Sequence, residues 1–370
     1  MIETQPVPLV DLRIQHEEIN DVVRDGFDRV LASGAFILGP EVQRFEEAFA
    51  RYCGVPYVVG VGNGTDALEL ALRAGGIGRG DEVILPANTF VATAEAVLRA
   101  GASVRLVDCD ENFLIDPVGV ADSLGPKVRA VIGVHLYGQA APMETLRGML
   151  DDGVLLIEDA AQSQGATRYS VRTGALGDIA ATSFYPGKNL GAYGDAGAVI
   201  TASGDLAARV RAMRNHGGVH RYEHELIGMN SRLDGLQAVV LAAKLERLDS
   251  WNQARRNAAA VYDELLAEMP QVVTPRVAAG NEHIFHLYVV RVPRRDLVVE
   301  RMNAVGINAA VHYPTPIHRV PAFSFLGLAE GAFPVAERLS HEILSLPIFP
   351  GITVDQQHDV AAELGRALDA

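Results

Sequence analysis

The sequence predicts an α/β protein built on a mostly parallel sheet with helices on both faces. Short apolar runs alternate with helical patterns over the first two thirds of the chain, and several runs end in polar or Gly-rich turns that begin a helix. We predict strands at 57–61, 83–85, 104–107, 130–134, 154–157, 180–184 and 198–201, and helices at 66–74, 90–99, 142–150 and 205–214.

The last third of the chain has a different pattern. An apolar stripe at helical spacing begins near Ser231 and predicts a long helix, bent or interrupted, that reaches about residue 269 and bridges two lobes. A strand at 284–292, a helix at 296–304 and a loop rich in Pro and His follow. We therefore expect a large domain over residues 1–249 and a small C-terminal domain over residues 250–370.

Composition argues against several classes of protein. The 370 residues include 32 Lys and Arg but 46 Asp and Glu, and the net charge of −14 disfavours nonspecific nucleic-acid binding. Two cysteines give neither a disulfide framework nor the spacing of a metal site, so no metal is expected. Neither a signal-peptide pattern nor an apolar run of membrane-spanning length occurs, so we expect a cytoplasmic protein.

Two motifs at predicted strand ends suit a phosphate and a flat ring, and ligands bind at such ends in parallel sheets. The motif GNGTDAL places Gly64 and Thr65 at a helix N-terminus, where free N–H groups favour phosphate. An ordinary turn capped by Thr65 or Asp66 explains it equally well. The motif PANTFVAT offers Phe90 as a stacking aromatic, although a core position is the alternative.

Two further motifs supply an acid and a lysine. In EDAAQ, Asp159 ends a strand and Gln162 follows it; a helix cap is the alternative role for Asp159. In SFYPGK, Lys188 follows Ser183, a phosphate candidate; a surface loop lysine is the alternative. Pyridoxal phosphate (PLP) requires such a pair, because the lysine binds it as a Schiff base and the acid keeps the pyridine nitrogen protonated.

Together with VPLVDL, ILGPEV, NSRLD and HYP, these motifs resemble the DegT-type family of PLP-dependent sugar aminotransferases, of fold type I, over nearly the whole chain. The resemblance implies a seven-stranded mixed sheet in the large domain and a small α+β C-terminal domain. It also implies a homodimer with its active sites at the interface.

The resemblance implies a role for each motif residue. Lys188 is the Schiff-base lysine and Asp159 the partner of the ring nitrogen. Phe90 is the aromatic that stacks on the ring, and Gln162 contacts the ring oxygen. Gly64, Thr65 and Ser183 bind the phosphate, and Asn230 reaches it from the other subunit.

The family's usual donor is L-glutamate and its acceptor is a keto sugar on a nucleoside diphosphate. Related dehydratases carry histidine at the lysine position, so Lys188 favours transamination. The segment HGGVHRY, followed by NSRLD, resembles the subgroup that aminates C3, so we expect a dTDP-linked 3-keto-6-deoxyhexose. Amination at C4, a dehydratase, a cyclitol aminotransferase and a non-catalytic regulatory protein of the same fold are the alternatives.

Six residues are candidates for contacts with the sugar nucleotide under this resemblance: His220, Arg221, Tyr222, Arg232, Tyr313 and His318. Arginine suits a diphosphate because its guanidinium donates two parallel hydrogen bonds. For Arg232 an ion pair across the interface is an equal alternative. For His318 the alternative is a loop histidine with its hydrogen bonds satisfied inside the protein.

Overall fold

The computed structural model describes residues 6–220 and 222–369, with the side chains of residues 219 and 220 outside the description. The helices are α1 (Leu12–Ser33), α2 (Pro40–Cys53), α3 (Gly64–Ala74), α4 (Val91–Arg99), α5 (Pro117–Ser123), α6 (Met143–Met149), α7 (Gly204–Met213), α8 (Gly235–Leu245), α9 (Leu248–Leu266), α10 (Arg295–Ala304), α11 (Pro334–Glu342) and α12 (Val354–Asp369).

The strands are β1 (Tyr57–Val61), β2 (Glu82–Pro86), β3 (Ser103–Val107), β4 (Val128–Val134), β5 (Leu155–Asp159), β6 (Thr167–Arg168), β7 (Val171–Arg172), β8 (Ile179–Ser183), β9 (Gly197–Thr201), β10 (Gly218–His220), β11 (Glu223–His224), β12 (Asn281–Glu282), β13 (Tyr288–Arg291) and β14 (Ile343–Leu346). Short 3₁₀ turns occur at Leu136–Gly138, Ile317–Arg319 and Pro321–Leu326.

A seven-stranded mixed sheet forms the centre of the large domain, in the order β1-β9-β8-β5-β4-β2-β3. Strand β9 runs antiparallel to both of its neighbours, and the pairs from β8 to β3 are parallel. The predicted α/β class and the mixed seven-stranded sheet are confirmed. All seven strands lie within two residues of their predicted positions, and six of them are largely buried apolar runs between turns, whereas β3 is buried only at Leu106 and Val107.

Helices cover both faces of this sheet. On one face α3, α4 and α7 bury the apolar side chains of the sheet in the largest core cluster of the chain. On the other face, α2 and α8 pack over β1, β8 and β9, while α5 and α6 pack over β2, β4 and β5. This two-sided cover fixes the carboxyl ends of β2, β4, β5 and β8 along one edge, where ligands bind in such sheets.

The predicted bridging helix is interrupted. Helix α8 begins at Gly235 with Asp234 in the N-cap position and ends before Glu246, and α9 begins at Leu248. Ser231, near which the apolar stripe begins, lies before the helix: its hydroxyl oxygen accepts a hydrogen bond from the backbone N–H of Gly62 at 3.0 Å.

A second core lies between α9, α10, α12 and the antiparallel pair β13 and β14. Val7 joins this core, and its backbone bonds to Gly306 and Asn308, so the N-terminal segment crosses to the C-terminal lobe. The domain boundary between residues 249 and 250 stays a prediction. Among the described residues, no helix combines the length and the apolar character needed to cross a bilayer.

Candidate active site

A cavity of about 720 Å³ opens at the carboxyl ends of the central strands. The predicted cofactor residues from four separate motifs all line it: Gly64, Thr65, Phe90, Asp159, Gln162, Ser183 and Lys188. Tyr313, a predicted substrate residue, lines it as well. The fold therefore brings together in one cavity the acid, the lysine and the phosphate candidates that the chain keeps far apart.

The last two residues of β5 point to opposite sides of the sheet. Glu158 is fully buried away from the cavity, where it pairs with His135 at 2.8 Å and accepts backbone N–H bonds from Gly174, Leu176 and Gly177. Asp159 faces the cavity. Because successive side chains of a strand point to opposite faces, Glu158 has a structural role inside the protein, whereas Asp159 is available to contact a ligand.

Asp159 is held by a short hydrogen-bond chain. Its Oδ2 accepts from the hydroxyl of Thr93 at 2.7 Å, Thr93 shares a 2.8 Å bond with Thr89, and its Oδ1 accepts from the N–H of Ala161 at 3.2 Å. Burial raises the pKa of Asp159 above its ordinary value, while these bonds and the positive charge of Lys188 act in the opposite direction. A cationic ring nitrogen beside the carboxylate would favour its ionised form in the same way.

Lys188 sits in a tight turn, where its backbone N–H bonds to the carbonyl of Tyr185 at 2.9 Å. Its amino group faces the cavity and makes no hydrogen bond or ion pair with the residues that the structure describes. Burial lowers the pKa of Lys188 to about 8, and the charge of Asp159 opposes this shift. A substantial fraction of the amine is therefore neutral near pH 8, as a nucleophile for a carbonyl carbon must be.

The phosphate candidates form a cradle at the N-terminus of α3. Asn63 caps the helix by accepting from the N–H of Asp66 at 2.8 Å, so the N–H groups of Gly64 and Thr65 remain directed out of the helix end. A Cβ at Gly64 would lie 2.6 Å from the Cβ of Ser183. Glycine is required at this position because the helix end and the end of β8 approach too closely for a side chain.

Phe90, Gln162 and Tyr313 line another side of the cavity. Phe90 is 48% exposed and its ring lies 5.0 Å from that of Tyr313, so it is not the core residue of the alternative interpretation. Gln162 accepts from the N–H of Tyr137 at 2.7 Å and donates to the hydroxyl of Tyr313 at 3.1 Å. These contacts leave the face of Phe90 open to a flat ligand.

The sequence profile of the DegT/DnrJ/EryC1/StrS aminotransferase family matches residues 15–365. The chain belongs to this family. It is 45% identical over 350 residues to the dTDP-3-amino-3,4,6-trideoxy-alpha-D-glucose transaminase of Streptomyces venezuelae, covering 94% of this chain and 92% of that protein. It is 44% identical over 364 residues to the pleiotropic regulatory protein of Geobacillus stearothermophilus, covering 97% and 98% of the two chains.

Solved structures agree with this family assignment. S. venezuelae DesV superposes with a TM-score of 0.96 at 43% identity, covering 99% of this chain and all 100% of that one. NtdA of Bacillus subtilis, solved with bound cofactor PMP, superposes with a TM-score of 0.88 at 30% identity, covering 100% of this chain and 86% of that one. The chain is an aminotransferase of fold type I, and the predicted fold, family and enzyme class are confirmed.

The cavity of this family member fits PLP. Gly64 keeps the helix end open for a phosphate, the two free backbone N–H groups are donors for it, and Asp159 and Lys188 offer the acid and the amine that the ring and its aldehyde require. When bound, PLP supplies an electron sink for the carbon that loses a proton. The cofactor prediction is confirmed by the family, while the individual residue roles stay predictions.

Several residues of the cavity wall were not found from sequence. His135 and His286 belong to none of the quoted motifs, and His312, the first residue of HYP, was given no role. His312 bonds through Nδ1 to the hydroxyl of Ser345 at 2.8 Å, and burial lowers its pKa to about 4. No periodicity or spacing signal marks such residues, because only the folded chain brings them to the cavity.

The outer segment, residues 218–234, carries Asn230 and most of the predicted sugar-nucleotide ligands, and none of its described residues lines this cavity. Asn230 is exposed, Tyr222 is 81% exposed, and Arg232 is partly buried, with its Nη1 bonded to the side-chain oxygen of Asn215 at 3.2 Å. The side chain of His220, and Arg221 altogether, lie outside the described residues. The protomer alone therefore does not bring the outer segment to Lys188.

The predicted sugar-pocket residue His318 is buried in the protein. It is 4% exposed in the turn Ile317–Arg319, its Nε2 lies 2.8 Å from a carboxylate oxygen of Glu337, and its ring packs on Phe333 at 4.9 Å. It lies outside the cavity lining, and its Nδ1 is buried without a hydrogen-bond partner among the described residues, so its role in the sugar pocket stays a prediction.

Proposed function

We propose that the protein transfers the amino group of L-glutamate to C3 of a dTDP-linked 3-keto-6-deoxyhexose. The observation that supports this acceptor is the likeness, over nearly the full length of both chains, to a transaminase named for a dTDP-3-amino-trideoxyglucose. A relative from Aneurinibacillus thermoaerophilus, 41% identical over 362 residues, is named for a dTDP-3-amino-3,6-dideoxygalactopyranose. Both names place the amino group at C3 of a 6-deoxyhexose.

The described residues suit both halves of such a reaction. Lys188 would hold PLP through its amino group and, once that amine is free, would move the proton of the donor's α-carbon. Asp159 holds the proton of the ring nitrogen in place throughout. With the acceptor sugar the same two residues act in the reverse direction, so Lys188 protonates the carbon that receives the amino group.

We infer that the active protein is a homodimer in which the outer segment contributes to the cavity of the other subunit. Phe36 and Ile37 are 46% and 48% exposed, and the backbone around them pairs with Leu233, Asp234 and Gly235 at the end of the outer segment. Exposed apolar side chains beside predicted ligands favour burial against a second copy. Asn230 and Arg232 then approach the phosphate and the sugar nucleotide in the neighbouring subunit.

The complete set of Lys188, Asp159 and an open phosphate cradle supports catalysis over the regulatory alternative, although one relative is named a regulatory protein. Amination at C4 is the remaining alternative for the sugar. A regulatory protein of this fold that only binds another macromolecule would not need an acid and a lysine in one cavity. The cytoplasmic location stays a prediction.

The test begins with the visible absorbance of the purified holoenzyme. L-glutamate is expected to bleach the cofactor band and D-glutamate to leave it unchanged. A dTDP-linked 3-keto-6-deoxyhexose should then restore the band and the 4-keto isomer should not, with the position of the new C–N bond read by NMR. Recovery with the 4-keto sugar alone would overturn the C3 assignment, and no response to L-glutamate would overturn the donor.

A further inference from the structure

Asn252, on helix α9, joins two segments that reach the cavity, although it does not line the cavity itself. Its side chain is buried, with 2% of its surface exposed. Its Oδ1 accepts a hydrogen bond from Nδ2 of Asn189 at 2.8 Å, and its Nδ2 donates to the backbone carbonyl of Gln164 at 2.9 Å. Both halves of this buried amide are therefore satisfied, one by the turn of Lys188 and the other by the turn that follows β5.

The bond to Asn189 acts on the residue next to Lys188. Asn189 is buried, its Nδ2 also lies 3.4 Å from the carbonyl of Ile284, and its Oδ1 lies 3.1 Å from Nδ1 of His286. The side chain of Asn189 is thus held on three sides. Because neighbouring residues share a planar peptide unit, a fixed Asn189 also fixes the direction in which the backbone leaves Lys188.

The backbone has to direct Lys188 because nothing holds the end of its side chain. The amino group of Lys188 makes no hydrogen bond or ion pair with the residues that the structure describes. The backbone N–H of Lys188 bonds to the carbonyl of Tyr185 at 2.9 Å, which closes the first part of the turn. The next residue, Asn189, is the point at which Asn252 holds the rest of the turn.

The bond to Gln164 acts on the phosphate cradle. Gln164 is buried, and its Nε2 donates to the backbone carbonyl of Ser183 at 2.9 Å. Ser183 ends β8 and forms the wall of the cradle that faces Gly64. A Cβ at Gly165 would lie 2.5 Å from Nδ2 of Asn252, so the backbone after Gln164 passes directly against this side chain.

We propose that Asn252 is a positioning residue of the active site. Through Asn189 it directs Lys188 into the cavity, and through Gln164 it holds the end of β8 in the phosphate cradle. Since α9 packs in the second core, the C-terminal part of the chain contributes to the site without lining the cavity. The inference rests on the proposed roles of Lys188 and the cradle, but on neither the donor nor the sugar.

Three variants separate positioning from packing. Asn252→Leu removes both bonds and keeps a side chain of similar size, and Asn189→Leu removes the first bond from its other end. Tyr262→Phe is the matched control on the same helix. The hydroxyl of Tyr262 is fully buried, donates to the carbonyl of Pro347 at 2.8 Å and does not line the cavity.

The first measurement is hydrogen–deuterium exchange of residues 185–192 in the full-length protein freed of cofactor. We expect about tenfold faster exchange in Asn252→Leu, because losing a buried hydrogen bond makes local opening of the turn easier. Tyr262→Phe should exchange at the wild-type rate over these residues. The variant with both Asn252→Leu and Asn189→Leu should match Asn189→Leu alone, because Asn252 acts on the turn through that bond.

The second set of measurements separates positioning from folding. At saturating PLP, the rate at which saturating L-glutamate bleaches the visible band should fall about tenfold in Asn252→Leu, with the half-saturating glutamate concentration unchanged. A misdirected amine slows proton transfer without weakening donor binding. PLP affinity, measured by fluorescence titration, should fall about tenfold in the same variant because the cradle is no longer held. Tyr262→Phe should keep all three values.

Wild-type exchange of residues 185–192 in Asn252→Leu, an equal acceleration in Tyr262→Phe, or an unchanged saturating rate would overturn the positioning of Lys188. Multiplying effects in the double variant would overturn the route through Asn189, and an unchanged PLP affinity the route through Gln164. Should Asn252→Leu fail to fold, Asn252→Ala, which adds no bulk, takes its place with the same expectations. The exchange measurement uses neither cofactor nor donor, so its failure is distinct from failure of the proposed reaction.

Discussion

The cavity around Lys188 and the outer segment differ in how their predicted site residues are placed within one chain. In the cavity, Asp159, Gln162 and His286 each have a hydrogen-bond partner that fixes their orientation. In the outer segment, Asn230 and Tyr222 are exposed and lie away from that cavity. The comparison supports the proposal that the chemical half of the site is built within one protomer and that recognition of the sugar nucleotide involves a second.

The largest effect is expected from Lys188→Ala, which removes the amine from the cavity. Turnover with L-glutamate should fall by about 10³-fold or more, since proton transfer by a positioned group contributes up to about 10⁴-fold. The visible band of the bound cofactor should shift at the same time. Lys127→Ala, at an exposed lysine, is the control and should retain wild-type turnover. Wild-type turnover in Lys188→Ala would remove the basis of the proposed function.

A smaller loss is expected from Gly64→Ala, which tests the phosphate cradle. The added methyl would meet Ser183 at 2.6 Å and force the end of α3 away from β8, so we expect PLP affinity to fall about tenfold and stability by about 1–3 kcal/mol. Fluorescence titration with PLP and thermal unfolding measure the two effects. Gly148→Ala is the control: the added methyl in α6 has no atom within 4 Å, so it should lower neither the PLP affinity nor the stability.

The pH dependence tests the hydrogen bond from Thr93 to Asp159. This bond lowers the pKa of Asp159, so Thr93→Val should raise that pKa and leave more of the carboxyl protonated at a given pH. The acid limb of the kcat/KM profile should therefore move up by about one pH unit. Thr93→Ser keeps the hydroxyl and should restore the wild-type profile; an unmoved limb in Thr93→Val would show that Asp159 does not set it.

The smallest kinetic effect is expected at His318, outside both regions. His318→Gln should leave the KM for the sugar unchanged and lower stability by about 1 kcal/mol, because it disturbs only the bond to Glu337 and the contact with Phe333. Thermal unfolding and steady-state kinetics give the two values. A KM raised severalfold without loss of stability would return His318 to the sugar pocket.

The sequence predicts the cavity better than its surroundings for a physical reason. Asp159, Lys188 and Gly64 stand in local motifs at the ends of buried strands, and strand ends of one parallel sheet meet at one edge. His286 has no such motif, and the tertiary fold alone places it beside Asn189. The position of the interruption between α8 and α9 also has no local signal, since the apolar stripe continues through it.

Helices α1 and α2 were not assigned from sequence, although their boundary signals are present. Asp11 caps α1 through the N–H of Arg13, Gly34 ends it with a φ of 66°, and Pro40 opens α2. The roles of the outer segment could not be decided from one chain, because a residue that acts across an interface leaves no trace in the local pattern.

Mixed dimers test the central comparison most directly. Lys188→Ala and Asn230→Asp, the latter placing a like charge beside the phosphate, are expected to be nearly inactive as separate homodimers at limiting PLP. If Asn230 serves the other subunit, a heterodimer of the two regains one intact site, and random association of equal amounts gives about one quarter of wild-type activity. Activity no higher than the mean of the two homodimers would contradict the account, because both halves of the site would then come from one chain.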